Sequence, residues 1–212
     1  MTGFLTVSGE AERTEIIERS KFICNVKHIE SEEQAREFIA EIKKKHSRAN
    51  HHCHAFIADE RASVCRFSDD GEPQGTAGMP ILNALKTNGI FMAVAVVTRY
   101  FGGIKLGTGG LARAYGGITA ECLKSAKTVF MQPAAIYKIT ADYEQYVKFL
   151  NKKLAVDFEI TGAEFFGKVK FTAAVKLAGG GKDDGFPKLV NEVTSGNCCI
   201  EKLTEKYYCF KV

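Results

Sequence analysis

Apolar residues recur with two different spacings along this chain, and the changes of spacing predict where strands give way to helices. Strand-like sequence spans 12–27, with a break near 19–20, and its second part sets Phe22, Cys24 and Val26 against the polar residues 21, 25 and 27. Over 31–46 the apolar side chains instead fall three or four residues apart, which predicts a helix with one buried face.

The start of that helix has its own signal, because Ser31 and Gln34 have the spacing of a capping box. Four further elements follow: a hairpin with strands at 51–58 and 63–67, a short helix within 75–86, a strand at 91–97 and a helix at 111–126. The strand at 91–97 is a continuous apolar run rich in valine, so we expect it to be buried on both faces.

The pattern restarts after Pro133, which cannot continue a preceding helix, and 131–133 is therefore the predicted linker. The elements expected beyond it are a strand at 136–140, a helix at 142–154, strands at 156–160 and 169–177, a helix at 186–195 and a strand at 206–212. Their order, β-α-β-β-α-β, is that of a ferredoxin-like domain. We therefore predict an α+β protein with domains at 1–131 and 134–212.

Composition limits the classes of function. The chain has 212 residues, of which 45% are hydrophobic and 25% charged, and seven cysteines without the spacing of a disulfide framework. It has no apolar run of membrane-spanning length and no signal peptide, so a cytoplasmic location without membrane contact is expected. Residues 1–131 carry seventeen Lys and Arg against fifteen Asp and Glu, and the remainder twelve against ten. Any nucleic-acid binding must therefore rest on a local patch.

The glycine-rich segment 99–117 lies between the predicted buried strand and the next helix. Backbone N–H groups in such a connection can bind an anion. It is not a Walker A loop, and although Gly107, Gly109 and Ala112 fit G-x-G-x-x-A, no second strand ending in an acid follows. The candidates for an anion or nucleic-acid site are Arg99, Gly102, Gly103, Lys105, Gly107, Thr108, Gly109, Gly110 and Arg113. The alternative is that these glycines serve only a tight connection and close helix packing.

An acidic loop precedes that segment, with Asp69, Asp70 and Glu72 close together. Three carboxylates can hold a divalent cation, although the spacing is not that of an EF-hand. The alternative is a turn in which the aspartates accept hydrogen bonds from backbone donors, with a further pairing to Arg99.

Two histidines are the candidates for a metal site. His52 and His54 share one face of a predicted strand, which supplies half of a zinc site. The alternative is a set of hydrogen-bonded histidines. No cysteine or serine has a recognisable nucleophile motif, so no catalytic residue, metal or cofactor is predicted.

Three motifs in order give the chain a specific resemblance over essentially its whole length. They are HHC at 51–53, FSDDGEPQGTAG at 67–78 and RYFGGIKLGTGGL at 99–111. The chain resembles the IMPACT family, in particular its bacterial two-domain YigZ-like branch. The resemblance implies an N-terminal domain of the ribosomal protein S5 domain 2-like fold. It also implies a C-terminal ferredoxin-like domain related to elongation-factor-G domains.

The same resemblance shapes the functional expectation. Eukaryotic relatives regulate translation under stress with an additional N-terminal RWD domain, which has no counterpart in this sequence. We expect a non-enzymatic, translation-linked factor that contacts RNA or a ribosomal assembly through the glycine-rich loop. The alternative is a phosphate- or nucleotide-handling enzyme that uses the same loop with the acidic turn as its metal site. No partner protein is identifiable.

Overall fold

The computed structural model describes residues 3–151, 156–177 and 185–210. Within them the protein is a mixed α/β structure with two sheets and five helices. The chain divides into two compact units, Phe4–Phe130 (the first unit) and Met131–Val212 with Met1–Gly3 (the second unit). No helix in the described part of the chain is long and apolar enough to cross a membrane.

The first unit contains one antiparallel sheet with helices on both faces. Its elements are β1 (Phe4–Val7), β2 (Glu10–Ile17), β3 (Ser20–His28), α1 (Glu32–Lys45), β4 (His51–Ile57), β5 (Cys65–Ser68), α2 (Gly78–Thr87), β6 (Ala93–Tyr100) and α3 (Gly107–Ser125). The sheet has the order β2-β3-β6-β4-β5, and β1 is not part of it. Each element predicted from the apolar pattern is present, with shifted ends.

The central strand β6 shows why the apolar pattern was informative. Its residues from Ala93 to Arg99 are all buried, because α2 and α3 pack on one face of the sheet and α1 on the other. Val97 belongs to the first of these two cores, and its neighbour Val96 to the second. A strand buried on both faces has a continuous rather than an alternating apolar sequence.

The predicted capping box at the start of α1 is confirmed with one difference. The amide of Gln34 donates to Oγ of Ser31 over 3.2 Å, as the motif requires. The side chain of Gln34 accepts from the amide of Glu30 over 2.8 Å, one residue earlier than in the standard motif. Both bonds satisfy donors at the point where the helix begins.

The second unit contains a four-stranded arrangement with helices in its connections. Its elements are β7 (Thr128–Ala141, which begins in the first unit), α4 (Tyr143–Asn151), β8 (Phe158–Phe166), β9 (Lys168–Lys176), α5 (Phe186–Thr194) and β10 (Cys199–Tyr208). The strands lie in the order β10-β7-β9-β8, with antiparallel pairing throughout. The two helices share a core with one sheet face, which includes Tyr137, Phe171 and Phe186.

Two sequence predictions in this unit differ from the structure, and two extend past the described residues. The linker expected at 131–133 lies inside β7, where Pro133 is paired with Tyr207 and its carbonyl accepts from Leu177 over 3.0 Å. Proline lacks only the donor, so a strand tolerates it where no N–H is needed. The last strand begins at Cys199, seven residues before the predicted start at 206, because its exposed residues give little apolar signal. Of the helix predicted over 142–154, residues 152–154 lie outside the described part, and so do residues 211–212 of the strand predicted over 206–212.

Candidate functional site

The glycine-rich segment forms a loop over 101–106 and the first turn of α3, which begins four residues earlier than predicted. Glycines 107, 109 and 110 lower helix propensity, and this hides the true start of the helix in the sequence. The N-cap residue is Leu106, and no side chain caps the helix. The first-turn amides of Thr108 and Gly109 donate no hydrogen bond to any described residue. Both residues are exposed, so these amides are donors without a partner among the described residues.

Several predicted anion-binding glycines have packing or backbone roles. Gly102 lies against the β2–β3 turn, where a Cβ would overlap the carbonyl of Arg19, and its amide donates to Oγ of Ser20 over 3.2 Å. Gly103 and Gly107 have φ values of +89° and +70°, the left-handed region that favours glycine. These three positions fix the path of the loop.

The two remaining glycines differ in their surroundings. A Cβ on Gly110 would come within 3.1 Å of Cβ of Leu106, so this position is tightly packed. A Cβ on Gly109 would meet only Nη1 of Arg113, at 3.8 Å. Gly109 thus leaves the backbone of the first turn open beside a guanidinium.

The structure places the side chain of Arg99 inside the protein and not on the open surface. Its side chain is buried, with Nη1 2.6 Å from Oε1 of Glu72 and Nη2 donating to Oγ of Ser20 over 3.2 Å. The guanidinium also lies between the rings of Phe22 and Phe101, 5.3 and 5.4 Å from their centroids. Arg99 continues the core-facing row of β6, so its charge is neutralised inside the protein.

The carboxylates of the acidic loop, residues 69–78, likewise accept hydrogen bonds from within the protein. Oδ1 of Asp69 accepts from the amides of Ala77 and Gly78 over 3.0 and 2.8 Å, and Oδ2 accepts from Gly75 over 2.8 Å. Asp69 therefore caps the start of α2, although it lies eight residues before the N-cap residue Ala77. Burial alone would raise the pKa of this carboxyl, but the three backbone donors outweigh it and hold the pKa below its ordinary value.

The other two carboxylates have partners as well. Asp70 accepts from Nζ of Lys43 over 2.9 Å and from the amide of His52 over 2.7 Å, and these contacts outweigh burial to lower its pKa. Glu72 accepts from the hydroxyl of Tyr115 over 2.8 Å in addition to Arg99. The structure therefore favours the alternative in which this loop is a hydrogen-bonded turn paired with Arg99.

The histidine pair is also bound within the protein. A ring nitrogen of His52 donates to the carbonyl of His46 over 3.1 Å, and one of His54 to the carbonyl of His52 over 3.1 Å. Over the described ranges, no group of three or more His, Cys, Asp and Glu is placed to hold a metal. On the neighbouring position of β4, burial raises the pKa of the Cys53 thiol to about 12, so it stays protonated at neutral pH.

An open groove lies beside the start of α3. It has a volume of about 550 Å³ and is lined by Ile17, Glu18, Ile104, Lys105, Leu106, Gly110, Arg113 and Ala114. We call it the α3 groove. Lys105 and Arg113 are exposed, and neither has an ion-pair partner among the described side chains. Of the predicted site residues, the structure brings together Lys105, Gly110 and Arg113 here, beside Thr108 and Gly109.

Sequence reasoning missed one wall of this groove. Ile17 is the last residue of β2 and Glu18 begins the β2–β3 turn, about ninety residues before α3. The close approach of Gly102 to Arg19 brings this turn to the loop. A glycine within a motif indicates that another segment comes close to the backbone there, but it does not indicate which segment. The sequence therefore carries no signal for the contact between the glycine-rich loop and the β2–β3 turn.

Comparison with known proteins places this geometry in a family. The model of the Impact N-terminal domain matches residues 18–123, which include the acidic loop and the α3 groove except Ile17. The IMPACT family member YvyE of Bacillus subtilis is 37% identical over 199 residues, covering 94% of this chain and 90% of the relative. The chain belongs to the IMPACT family.

Other IMPACT family members agree. An IMPACT family member of Haemophilus influenzae is 37% identical over 210 residues, covering 96% of this chain and 98% of the relative. YigZ of Escherichia coli is 39% identical over 147 residues, covering 68% and 72%. A solved structure described as a hypothetical protein matches with a TM-score of 0.65 and 31% identity, covering 96% of this chain and 98% of its own. The resemblance inferred from the three motifs is confirmed.

Proposed function

We propose that this IMPACT family member is a non-enzymatic, translation-linked regulator that contacts RNA or a ribosomal assembly through the α3 groove. The observation that carries the proposal is the pair Lys105 and Arg113, exposed and unpaired in the described structure, beside the uncapped first turn of α3. A helix N-terminus with free amides has a partial positive charge and suits a phosphate.

The open surface near Gly109 supports the same proposal. Nη1 of Arg113 lies beside the position that a Cβ would occupy on Gly109, so backbone donors and a guanidinium converge there. Such a cluster contacts phosphates without reading bases. Because the formal net charge of the chain is only +4, the affinity should be modest and strongly dependent on salt.

We also assign a fold type to each unit as part of this proposal. For the second unit, support comes from the β-α-β-β-α-β order and the strand order β10-β7-β9-β8. A ferredoxin-like domain has that order of elements. For the first unit we propose the ribosomal protein S5 domain 2-like fold, supported by the match to the Impact N-terminal domain.

The alternative of a phosphate-handling enzyme has weaker support. It requires the acidic loop to supply a catalytic base or metal ligands, while Asp69, Asp70 and Glu72 each accept at least two hydrogen bonds from protein donors. No specific observation favours it. The α3 groove is suited to holding an anion rather than activating one.

The test is co-sedimentation of the full chain with ribosomes and with bulk RNA, at low and at moderate salt. Lys105→Glu with Arg113→Glu should weaken binding strongly, because it places two negative charges beside the phosphate site. The matched control is Arg48→Glu with Lys127→Glu, which reverses two exposed charges. Lys127 follows the far end of the 19-residue α3, about 28 Å from its first turn.

The control should sediment like the wild type. If the wild type fails to sediment at low salt, the RNA or ribosome contact is wrong. If the groove variant sediments as well as the control, the contact surface lies elsewhere on the protein.

A further inference from the structure

We infer that the helix-free face of the sheet in the second unit is a platform for single-stranded RNA, independent of the α3 groove. We call it the sheet platform, and it consists of Lys138, Gly162, Glu164, Phe166, Lys168, Lys170, Thr172 and Leu203. On a four-stranded sheet, an exposed aromatic ring can stack on a base and neighbouring lysines can bind the phosphates.

The ring is that of Phe166, which is 84% exposed at the end of β8. Its neighbour Phe165 packs edge-to-face on Tyr146 of α4, with ring centroids 5.7 Å apart. Because side chains alternate along a strand, Phe166 lies on the opposite face, away from the helices. Exposing a whole phenyl ring on the sheet removes no apolar surface from water, so the fold itself gains little from it.

Alternation places lysines on the same face. Lys170 lies between Val169 and Phe171, both in the helix-side core, and Lys138 lies between the buried Tyr137 and Ile139. Lys168 continues the row on β9, where it is in register with Phe166. Glu164 and Glu201 stand opposite Lys170 and Lys138 in register. No described carboxylate lies within 4 Å of Lys138 or Lys170, so these two ammonium groups are open to an external anion, whereas Nζ of Lys168 lies 3.9 Å from Oδ1 of Asp142.

The surface between these side chains is concave. A cavity of about 410 Å³ lies over Lys138, Gly162, Lys170 and Thr172, bounded on β10 by Leu203. Gly162 has no side chain to fill this cavity, and a Cβ there would come within 3.6 Å of Oγ1 of Thr172. The four strands span about 14 Å from β8 to β10, room for the two or three bases that such sheets hold.

The other end of the same face is covered by protein side chains, and the platform ends there. The hydroxyl of Tyr208 donates to Oε2 of Glu159 over 3.2 Å, and its ring packs against that of Phe210 at 4.9 Å. Ala134 and Ala174, which share this face, are completely buried. The open end is lined mainly by lysines, threonine and glycine, whereas a protein interface has an apolar centre. The chemistry therefore favours RNA over a protein partner.

The test is fluorescence anisotropy of the full chain with a labelled uridine hexamer and with an abasic ribose-phosphate hexamer of the same length. Phe166→Ala should weaken uridine-hexamer binding about five- to 150-fold, the range for loss of one stacked base, and leave abasic binding unchanged. Lys138→Gln with Lys170→Gln should weaken both and reduce the salt slope of log K by about 1.4. Lys148→Gln with Lys188→Gln, exposed on α4 and α5, is the matched control and should change neither.

Each variant is also measured in the Lys105→Glu, Arg113→Glu background, so that the α3 groove cannot mask the platform. If Phe166→Ala binds both hexamers as the wild type does in both backgrounds, the platform is overturned while the groove proposal stands. If only the platform variants lose affinity, the groove proposal fails and the platform stands. No binding of either hexamer by the wild type at low salt overturns RNA as the ligand of the platform.

Discussion

The acidic loop and the first turn of α3 are both rich in glycine and charge, yet they use these residues in opposite ways. In the acidic loop every carboxylate is held by protein donors, and Arg99 from the glycine-rich motif completes the arrangement. At α3 the amides of Thr108 and Gly109, together with Lys105 and Arg113, have no described partner. A motif can therefore contain both the internal support of a site and its open surface.

The largest expected effect comes from breaking the internal support. Glu72→Ala leaves the buried guanidinium of Arg99 without its carboxylate and the hydroxyl of Tyr115 without its acceptor. Removing one partner of a buried ion pair costs about 3–5 kcal/mol of unfolding free energy. Urea denaturation measures this loss, and Lys105→Glu with Arg113→Glu serves as the surface comparison. A loss under about 1 kcal/mol in Glu72→Ala would show that the pair is not a structural support.

A second comparison uses two glycines of one motif. Gly102→Ala should destabilise the protein by about 1–3 kcal/mol, because its methyl group would overlap the backbone of Arg19. Gly109→Ala should instead stabilise it by up to about 1 kcal/mol, since alanine favours the helix and the site has room. Thermal or urea unfolding distinguishes the two. Equal effects with the same sign would contradict the division between packed and open glycines.

These pairs also show how far the sequence alone could lead. Strands and helices followed from periodicity, since burial dictates which positions are apolar, and the capping box followed from the spacing of Ser31 and Gln34. Arg99 and Arg113 looked equivalent in the sequence. Arg99 is buried and Arg113 is exposed because β6, which carries Arg99, lies at the centre of the sheet. The wall formed by Ile17 and Glu18 depends on a contact between distant segments, for which local pattern carries no information.

A smaller effect concerns pH and the carboxylates of the acidic loop. The folded-state pKa values of Asp69 and Asp70 are lowered, so their stabilising contribution is present above the ordinary carboxyl pKa of about 3.9. It is lost as the pH falls through the folded values. Asp69→Asn should therefore show a shallower fall of unfolding free energy below pH 4 than the wild type. Parallel curves for the two proteins would mean that Asp69 does not cap α2 as a carboxylate.

The central claim is that Lys105 and Arg113 contact phosphates while contributing little to the fold. The most direct measurement is the salt dependence of RNA affinity for the wild type and for Lys105→Gln with Arg113→Gln, with urea unfolding of both. We predict a slope of log K against log salt that is reduced in magnitude by about 1.4 to 1.8, two phosphate contacts, with unfolding free energies within about 0.5 kcal/mol. An unchanged slope in a stably folded variant would contradict the account.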